Sequence, residues 1–332
     1  MKSIGIIANP NSGKDVRRLY SYALTIGNNE KANLIERIIL GAQDLGVEEV
    51  FIMPDHYNMG NSIRATLNDN GDLKATINVL DFRPSGNGED TILAAKIFEE
   101  IGVDCIIVLG GDGTSRLVGS TKPSAPIIAV STGTNNVYPS FYEGTIVGMA
   151  AAVVCAYGLK DEYIRRDKII EVYKNGEVVD YALIDAAITN QLFIGNRAIE
   201  KIDDIDELIV SRSHPASIGF SSTIGVQAIS TISDDFGYRA KFKQGNVLTL
   251  APFTPGKMTR VKMEEPVKMP LNQMYVCKPQ MQGSIALDGE RALKFNRNEV
   301  VGLVIRRKGP LSVNVEAALE YGVGKQLFRY NG

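Results

Sequence analysis

A chain of 332 residues, 44% hydrophobic and 22% charged, has the composition of a folded globular protein, with length for about two domains and too much apolar content for disorder. Lys plus Arg number 36 and Asp plus Glu 38, a net charge of −2, so no strong field is present to gather nucleic acid or an anionic membrane surface. The three cysteines, Cys105, Cys155 and Cys277, lie far apart without a CxxC spacing, which argues against a disulfide frame or a zinc site and for a reducing, cytoplasmic setting.

In chain order, "SIGIIA" near the N-terminus reads as a buried strand rather than a secretory signal, since the apolar stretch breaks at Asn9 and Pro10. "NPNSGK" then has turn chemistry, and "NLIERIILGAQDLG" carries apolar residues at helical spacing. "EVFIMP" and "ATINVLDF" supply the second and third strands. "DTILAAKIFEEI" predicts an amphipathic helix capped by Asp90 and ended by Gly102. "VDCIIVLGG" and "APIIAVSTG" are two further strands, and "TIVGMAAAVVCAYG" is a buried helix too short to span a bilayer. Strands alternating with helices in this way predict a parallel sheet flanked by helices over residues 1–160.

Beyond that point the rhythm changes. Asn175 and Gly176 separate two alternating runs, a hairpin signal, and the segments from "ASIGFSSTIGVQAIS" to "EVVGLVIRRKGPLSVNV" are short, strand-like and punctuated by Gly, Pro and Asn. A β-rich, sandwich-like domain is therefore expected over 161–315. The final stretch, 316–332, returns to a helical pattern and is expected to pack back on the first domain.

The chemistry concentrates in "GGDGT", residues 110–114, where a buried strand surfaces. Ligands of open parallel sheets bind at the carboxyl ends of strands. Gly110, Gly111 and Gly113 permit close backbone approach to a polyphosphate, Thr114 can donate to a phosphate oxygen, and Asp112 is placed either to hold a cation or to accept a proton from a hydroxyl. Rival motifs fail. Ala8 stands where a P-loop needs glycine and Asp15 where it needs Ser or Thr; no G-x-G-x-x-G follows the first strand, and no G-x-S-x-G frames a serine. His56 and His214 lack metal-ligand spacing. "RSHPAS" at 212–217 reads as an ordinary loop, and the clusters "RRDK" and "RRK" as solvated faces.

Together, "NPNSGK" (9–14), "GGDGT" (110–114), "STGTNN" (131–136) and "LDGE" (287–290) resemble, in order, the superfamily joining NAD kinases with diacylglycerol and sphingosine kinases. The unbroken "GGDGTSR" and "STGTNNVYP" are most similar to its ATP-NAD kinase-like branch of acetoin catabolism protein X proteins. The resemblance implies an N-terminal α/β domain, a C-terminal β domain and a nucleotide site between them. It implies that Asn9, Gly110, Gly111, Gly113, Thr114, Thr132, Gly133, Thr134, Asn135 and Asn136 face the nucleotide, that Asp112 contacts the reacting hydroxyl, that Asp288 is a second candidate base and that Glu290 is a candidate Mg²⁺ partner. Asn136 departs from the lipid-kinase pattern, which ends this loop in Asp; an amide there cannot bind a cation as a carboxylate would.

The expected activity is phosphoryl transfer from ATP with Mg²⁺ to a hydroxyl, with NAD or NADH as the leading acceptor and a homo-oligomeric assembly. A kinase of another small-molecule or lipid alcohol is the first alternative; a nucleotide-binding regulator without turnover is the second. Neither nucleic acid nor a membrane is expected as a partner.

Overall fold

The computed structural model describes residues 1–13, 22, 26–133, 136–192 and 202–329, with the backbone alone at 291 and 292. A sheet of parallel strands forms the first layer: β1 (Ser3–Ala8), β2 (Glu49–Ile52), β3 (Thr76–Val79), β4 (Cys105–Gly110) and β5 (Ile127–Ser131), in the order β3-β2-β1-β4-β5. Alternation along each strand sorts its side chains. Ile4, Ile6, Cys105, Ile107 and Leu109 enter one core, while Ile7, Ile106 and Val108 enter the core on the opposite face.

The first face is covered by α1 (Asn28–Gln43), α2 (Met59–Asp69) and α5 (Gly144–Tyr157); the second by α3 (Gly88–Ile101) and α4 (Asp112–Ser120). Helix α1 turns Leu34, Ile35, Ile38, Ile39 and Ala42 inward, the stripe its spacing predicts. It lies so close to α5 that a Cβ on Gly148 would stand 2.2 Å from the Ile38 carbonyl oxygen, so glycine is required there. Helix α3 ends at Gly102 in the left-handed region, as expected, but its cap is Asn87, whose side chain accepts from the Glu89 N–H. Asp90 instead receives the N–H groups of Ser85 and Gly86, folding the loop before the helix.

After α5 the chain adds β6 (Ile164–Arg166) to the edge of this sheet and then builds a sandwich. One sheet holds β9 (Asp185–Thr189), β10 (Glu207–Val210), β11 (Phe236–Thr254), β12 (Lys257–Met263), β13 (Val267–Pro270), β15 (Gly283–Leu287) and β16 (Glu290–Phe295). The other holds β7 (Ile169–Lys174), β8 (Glu177–Ala182), β14 (Met274–Cys277) and β17 (Val301–Arg306). All pairings within them are antiparallel. Ile170, Val172, Leu303 and Ile305 of the second sheet pack against Ile188, Ile209, Ile285 and Leu287 of the first. The β7–β8 turn has φ of 53° at Asn175 and 85° at Gly176, the left-handed pair that an Asn-Gly hairpin demands.

The stretch "ASIGFSSTIGVQAIS", expected as strand, contains the short helix α6 (Phe220–Gly225), which buries Phe220 and Ile224 against the outer face of the larger sheet. Strand β18 (Leu311–Val313) then inserts between β5 and β6, and α7 (Val315–Gly324) packs on α5. The α/β sheet thus draws two strands, Ile164–Arg166 and Leu311–Val313, from the stretch expected for the β-rich part. No helix among the described residues is long and apolar enough to cross a membrane.

Candidate functional site

Strand order 3-2-1-4-5 reverses direction between β1 and β4, and in such sheets the crevice above that point is where ligands bind. "NPNS" leaves the end of β1 there and "GGDGT" the end of β4. The two loops are tied together. The Asn9 N–H donates to the Leu109 carbonyl (3.0 Å), and the Asn9 side chain donates to the Thr114 hydroxyl (2.9 Å). The third loop joins through the Thr132 N–H on the Gly110 carbonyl (3.1 Å) and a 2.7 Å hydrogen bond between the Ser12 and Thr132 hydroxyls.

Beneath this crevice lies Lys31 of α1, with none of its surface exposed. Its ammonium donates to the carbonyls of Asn9 (2.9 Å) and Ser12 (3.0 Å) and to the Asn28 side chain (3.3 Å), so one cation holds the "NPNS" turn in shape.

Asp112 opens α4 directly after Gly111. The first amides of a helix have no partner within it, and around Gly113 no atom of the described residues outside the helix backbone stands within 4 Å of where a Cβ would be, so among these residues this end of α4 can receive an anion. At Gly110 and Gly111 the absence of a side chain serves packing: a Cβ would press within 2.6 Å of Thr114 and 2.8 Å of the Asn136 side chain. Asn136 fills the space between Gly111 and Gly133 and donates to the Ser131 hydroxyl (2.8 Å), so its amide joins the two loops. Thr134 and Asn135, and Lys14 of "NPNSGK", lie outside the described residues.

The Asp112 carboxylate is 8% exposed and accepts the N–H groups of Val137 (3.0 Å) and Tyr138 (2.8 Å). Burial, reinforced by the charge of Asp288, pushes its pKa up to about 6 against the pull of these amides and of Arg212. Asp288 comes from the opposite side, in the turn between β15 and β16. It is 7% exposed and accepts the N–H groups of Leu183 (3.0 Å), Ile184 (2.8 Å) and Asp185 (3.3 Å), with the Arg116 guanidinium 3.7 Å away. Burial raises its pKa as well, opposed first by Arg116. Arg116 also reaches Asp180 (3.3 Å), spanning from α4 to the sandwich.

Glu290 does not share this environment. Leu287 pairs with Glu290, leaving Asp288 and Gly289 as a two-residue turn with φ of 51° and 83°, so the strand does not continue and the two carboxylates are not on one face. Asp288 is buried and Glu290 exposed. Among the described residues no group of three His, Cys, Asp or Glu side chains is placed to hold a metal ion.

Arg212 and Asp167 complete the surroundings. Arg212 donates to the Val137 carbonyl (2.9 Å), with its guanidinium 5.1 Å from the Tyr138 ring centre. The Tyr138 hydroxyl donates to Asp167, which also accepts from Ser312 (2.9 Å). Behind this loop a cavity of about 200 Å³ opens between Tyr138, Arg165, Asp167, Arg212, Ser312 and Glu316.

Sequence reasoning missed Lys31, Arg212 and Asp167: Lys31 precedes the helical stretch it singled out, Arg212 falls in "RSHPAS", read as an ordinary loop, and Asp167 in "RRDK", read as a solvated face. His214 accepts from the Ala216 N–H within its own loop.

Known proteins agree with this architecture. A curated protein, acetoin catabolism protein X of Cupriavidus necator, is 32% identical over 339 residues, covering 98% of this chain and 94% of that protein. The chain belongs to the acetoin catabolism protein X family. Residues 168–308 match the acetoin catabolism protein X C-terminal domain, and residues 4–156 the ATP-NAD kinase N-terminal domain. Among solved structures, yeast NADH kinase complexed with NADH is similar over 100% of this chain and 89% of that one, with a TM-score of 0.50 and 14% identity, a likeness of fold. A putative diacylglycerol kinase from Bacillus anthracis str. Sterne also matches, over 94% of this chain and 96% of that one, at a TM-score of 0.42 and 12% identity.

Proposed function

We propose that this chain is an ATP-dependent kinase that transfers a phosphoryl group to a hydroxyl, with NAD or NADH as the leading acceptor. The observation that carries the reading is the pair Asp112 and Asp288, two buried carboxylates brought together from the α/β layer and the sandwich beside the open first turn of α4. The match to the ATP-NAD kinase N-terminal domain supports the donor and the acceptor class.

In this reading the phosphates lie against the amides at the start of α4, where Gly113 leaves room for them. Mg²⁺, were it bound with the nucleotide, would neutralise phosphate charge; among the described residues no group of three His, Cys, Asp or Glu side chains would cage it. The acceptor oxygen attacks the γ-phosphorus, the bond from that phosphorus to the β–γ bridging oxygen breaks, and ADP leaves.

The hydroxyl proton passes to Asp112 rather than Asp288. Three backbone amides and Arg116 already occupy Asp288, whereas two amides converge mainly on one oxygen of Asp112 and leave capacity on the other. A carboxylate with a pKa of about 6 is ionised at neutral pH yet basic enough to share a proton as the bond forms.

The test is incubation of the purified chain with ATP and Mg²⁺ and, in parallel, NAD, NADH and a panel of small and lipid alcohols, following NADP, NADPH and ADP. Formation of NADP or NADPH supports the reading in full; phosphorylation of another alcohol alone replaces the acceptor. Nucleotide binding without turnover on any alcohol assigns a regulator.

A further inference from the structure

We infer that Arg212 is a positioning residue that reaches from the sandwich to hold Asp112 through a single peptide group, and thereby sets when Asp112 accepts a proton. The inference deepens the kinase reading and depends on it for the kinetic half of its test alone.

The geometry is a chain of three groups. The Arg212 guanidinium donates to the carbonyl of Val137 at 2.9 Å. That carbonyl and the N–H of Tyr138 belong to one peptide unit, and the N–H donates to Asp112 Oδ1 at 2.8 Å. A cation on the oxygen side of a peptide polarises it and strengthens the hydrogen bond its N–H makes. The charge of Arg212 is therefore delivered to Asp112 along an oriented dipole as well as through space. The Tyr138 ring, 5.1 Å from the guanidinium carbon, fixes the plane of this contact, and its hydroxyl is anchored on buried Asp167.

The arrangement joins the two halves of the molecule. Arg212 follows β10 of the sandwich, whereas Asp112 and the Val137–Tyr138 peptide belong to the α/β layer. Asp288, also from the sandwich, acts on Asp112 in the opposite sense, as a like charge. Arg116, on the same helix as Asp112, is turned toward Asp180 and Asp288. The proton affinity of Asp112, raised first by burial, is thus tuned from the sandwich by two groups of opposite sign, Asp288 raising it and Arg212 lowering it beside the two amides. Any movement that withdraws Arg212 leaves the buried carboxylate facing Asp288 with weaker support. Among the described residues the buried Arg212 Nε has no hydrogen-bond partner, so the contacts of this guanidinium are the Val137 carbonyl and the Tyr138 ring.

The test uses the full chain with Arg212→Met, Arg212→Gln and Arg212→Lys. Methionine keeps the length of the stem beside the existing cavity and removes charge and donors; glutamine keeps a neutral donor; lysine keeps the charge without the planar fork. Amide hydrogen exchange at Val137 and Tyr138 is read residue by residue, and the acid limb of kcat/KM is read with whichever acceptor the wild type phosphorylates.

In R212M both amides are expected to exchange at least about tenfold faster, and the acid limb to move up by about one pH unit with the KM for ATP within about twofold of wild type. R212K should recover part of the limb shift. R212Q should keep the amides protected while the limb stays raised, and it carries the test if R212M does not fold. A folded R212M with wild-type exchange, or R212M and R212Q with an unshifted limb, overturns the assignment. If the wild type phosphorylates no alcohol, the kinase reading falls, and the exchange rates alone decide whether Arg212 holds the Asp112 loop.

Discussion

Asp112 and Asp288 reach the same buried space from opposite halves of the molecule, one from the first turn of α4 and the other from the β15–β16 turn. Arg116 lies 3.7 Å from Asp288, and Arg212 acts on Asp112 across the Val137–Tyr138 peptide. Two carboxylates in one low-dielectric space cannot both ionise at their ordinary pKa. Here backbone amides hold each of them in place while burial keeps the proton affinity of both high, reinforced at Asp112 by the charge of Asp288.

Asp112→Asn is expected to lose activity by about 10²–10⁴-fold and to gain stability at neutral pH. The folded pKa is about 6 against an ordinary 3.8, so the folded state binds this proton more tightly than the unfolded chain. The stabilisation that follows is fully present below about 3.8 and lost as pH rises through about 6, a swing of at most about 3 kcal/mol. Urea unfolding at pH 4, 5, 6 and 7 should show a flatter pH dependence in the variant than in wild type.

Asp288→Asn is expected to shift the acid limb of kcat/KM downward, because the like charge that raises the pKa of Asp112 is gone. Asparagine tolerates the φ of 51° at this turn, and its oxygen still accepts from the Ile184 and Asp185 amides, so the hairpin should form. The direction is opposite to that expected for R212M, and pH–rate profiles of the two variants side by side check it.

Gly111→Ala and Gly113→Ala should separate packing from ligand approach. A Cβ at residue 111 meets the Asn136 amide at 2.8 Å, and the variant should be destabilised by about 1–3 kcal/mol. At residue 113 the Cβ meets nothing of the described residues within 4 Å and the backbone is helical, so alanine should add up to about 1 kcal/mol of stability. If phosphates do pass close to that backbone, G113A should still weaken ATP binding by tenfold or more, measured by calorimetry.

Lys31→Met should cost about 1–3 kcal/mol, since it removes the buried cation that donates to the carbonyls of Asn9 and Ser12 beneath the crevice. Thermal unfolding measures that cost. A parallel loss of ATP affinity is expected because the "NPNS" turn loses its only described cationic brace from α1.

The sequence by itself determined the layer order, since alternation in "SIGIIA" and "CIIVLG" and the 3.6-residue stripe of α1 are local consequences of which side chains must leave water. The Asn175–Gly176 turn and the Gly102 stop were legible because each depends on a left-handed backbone that few residues adopt, and the placing of "GGDGT" at a strand end because it follows the apolar run "CIIVL". Tertiary structure alone decided what surrounds Asp112. Asp288 lies 176 residues away along the chain and Arg212 lies 100 away, and only the docking of the sandwich on the sheet makes them neighbours. It also decided that Lys31 is buried, that Asn136 is a brace between two glycines and that Glu290 faces outward. Those outcomes depend on burial and on the company a polar group keeps once folded, which local spacing does not encode.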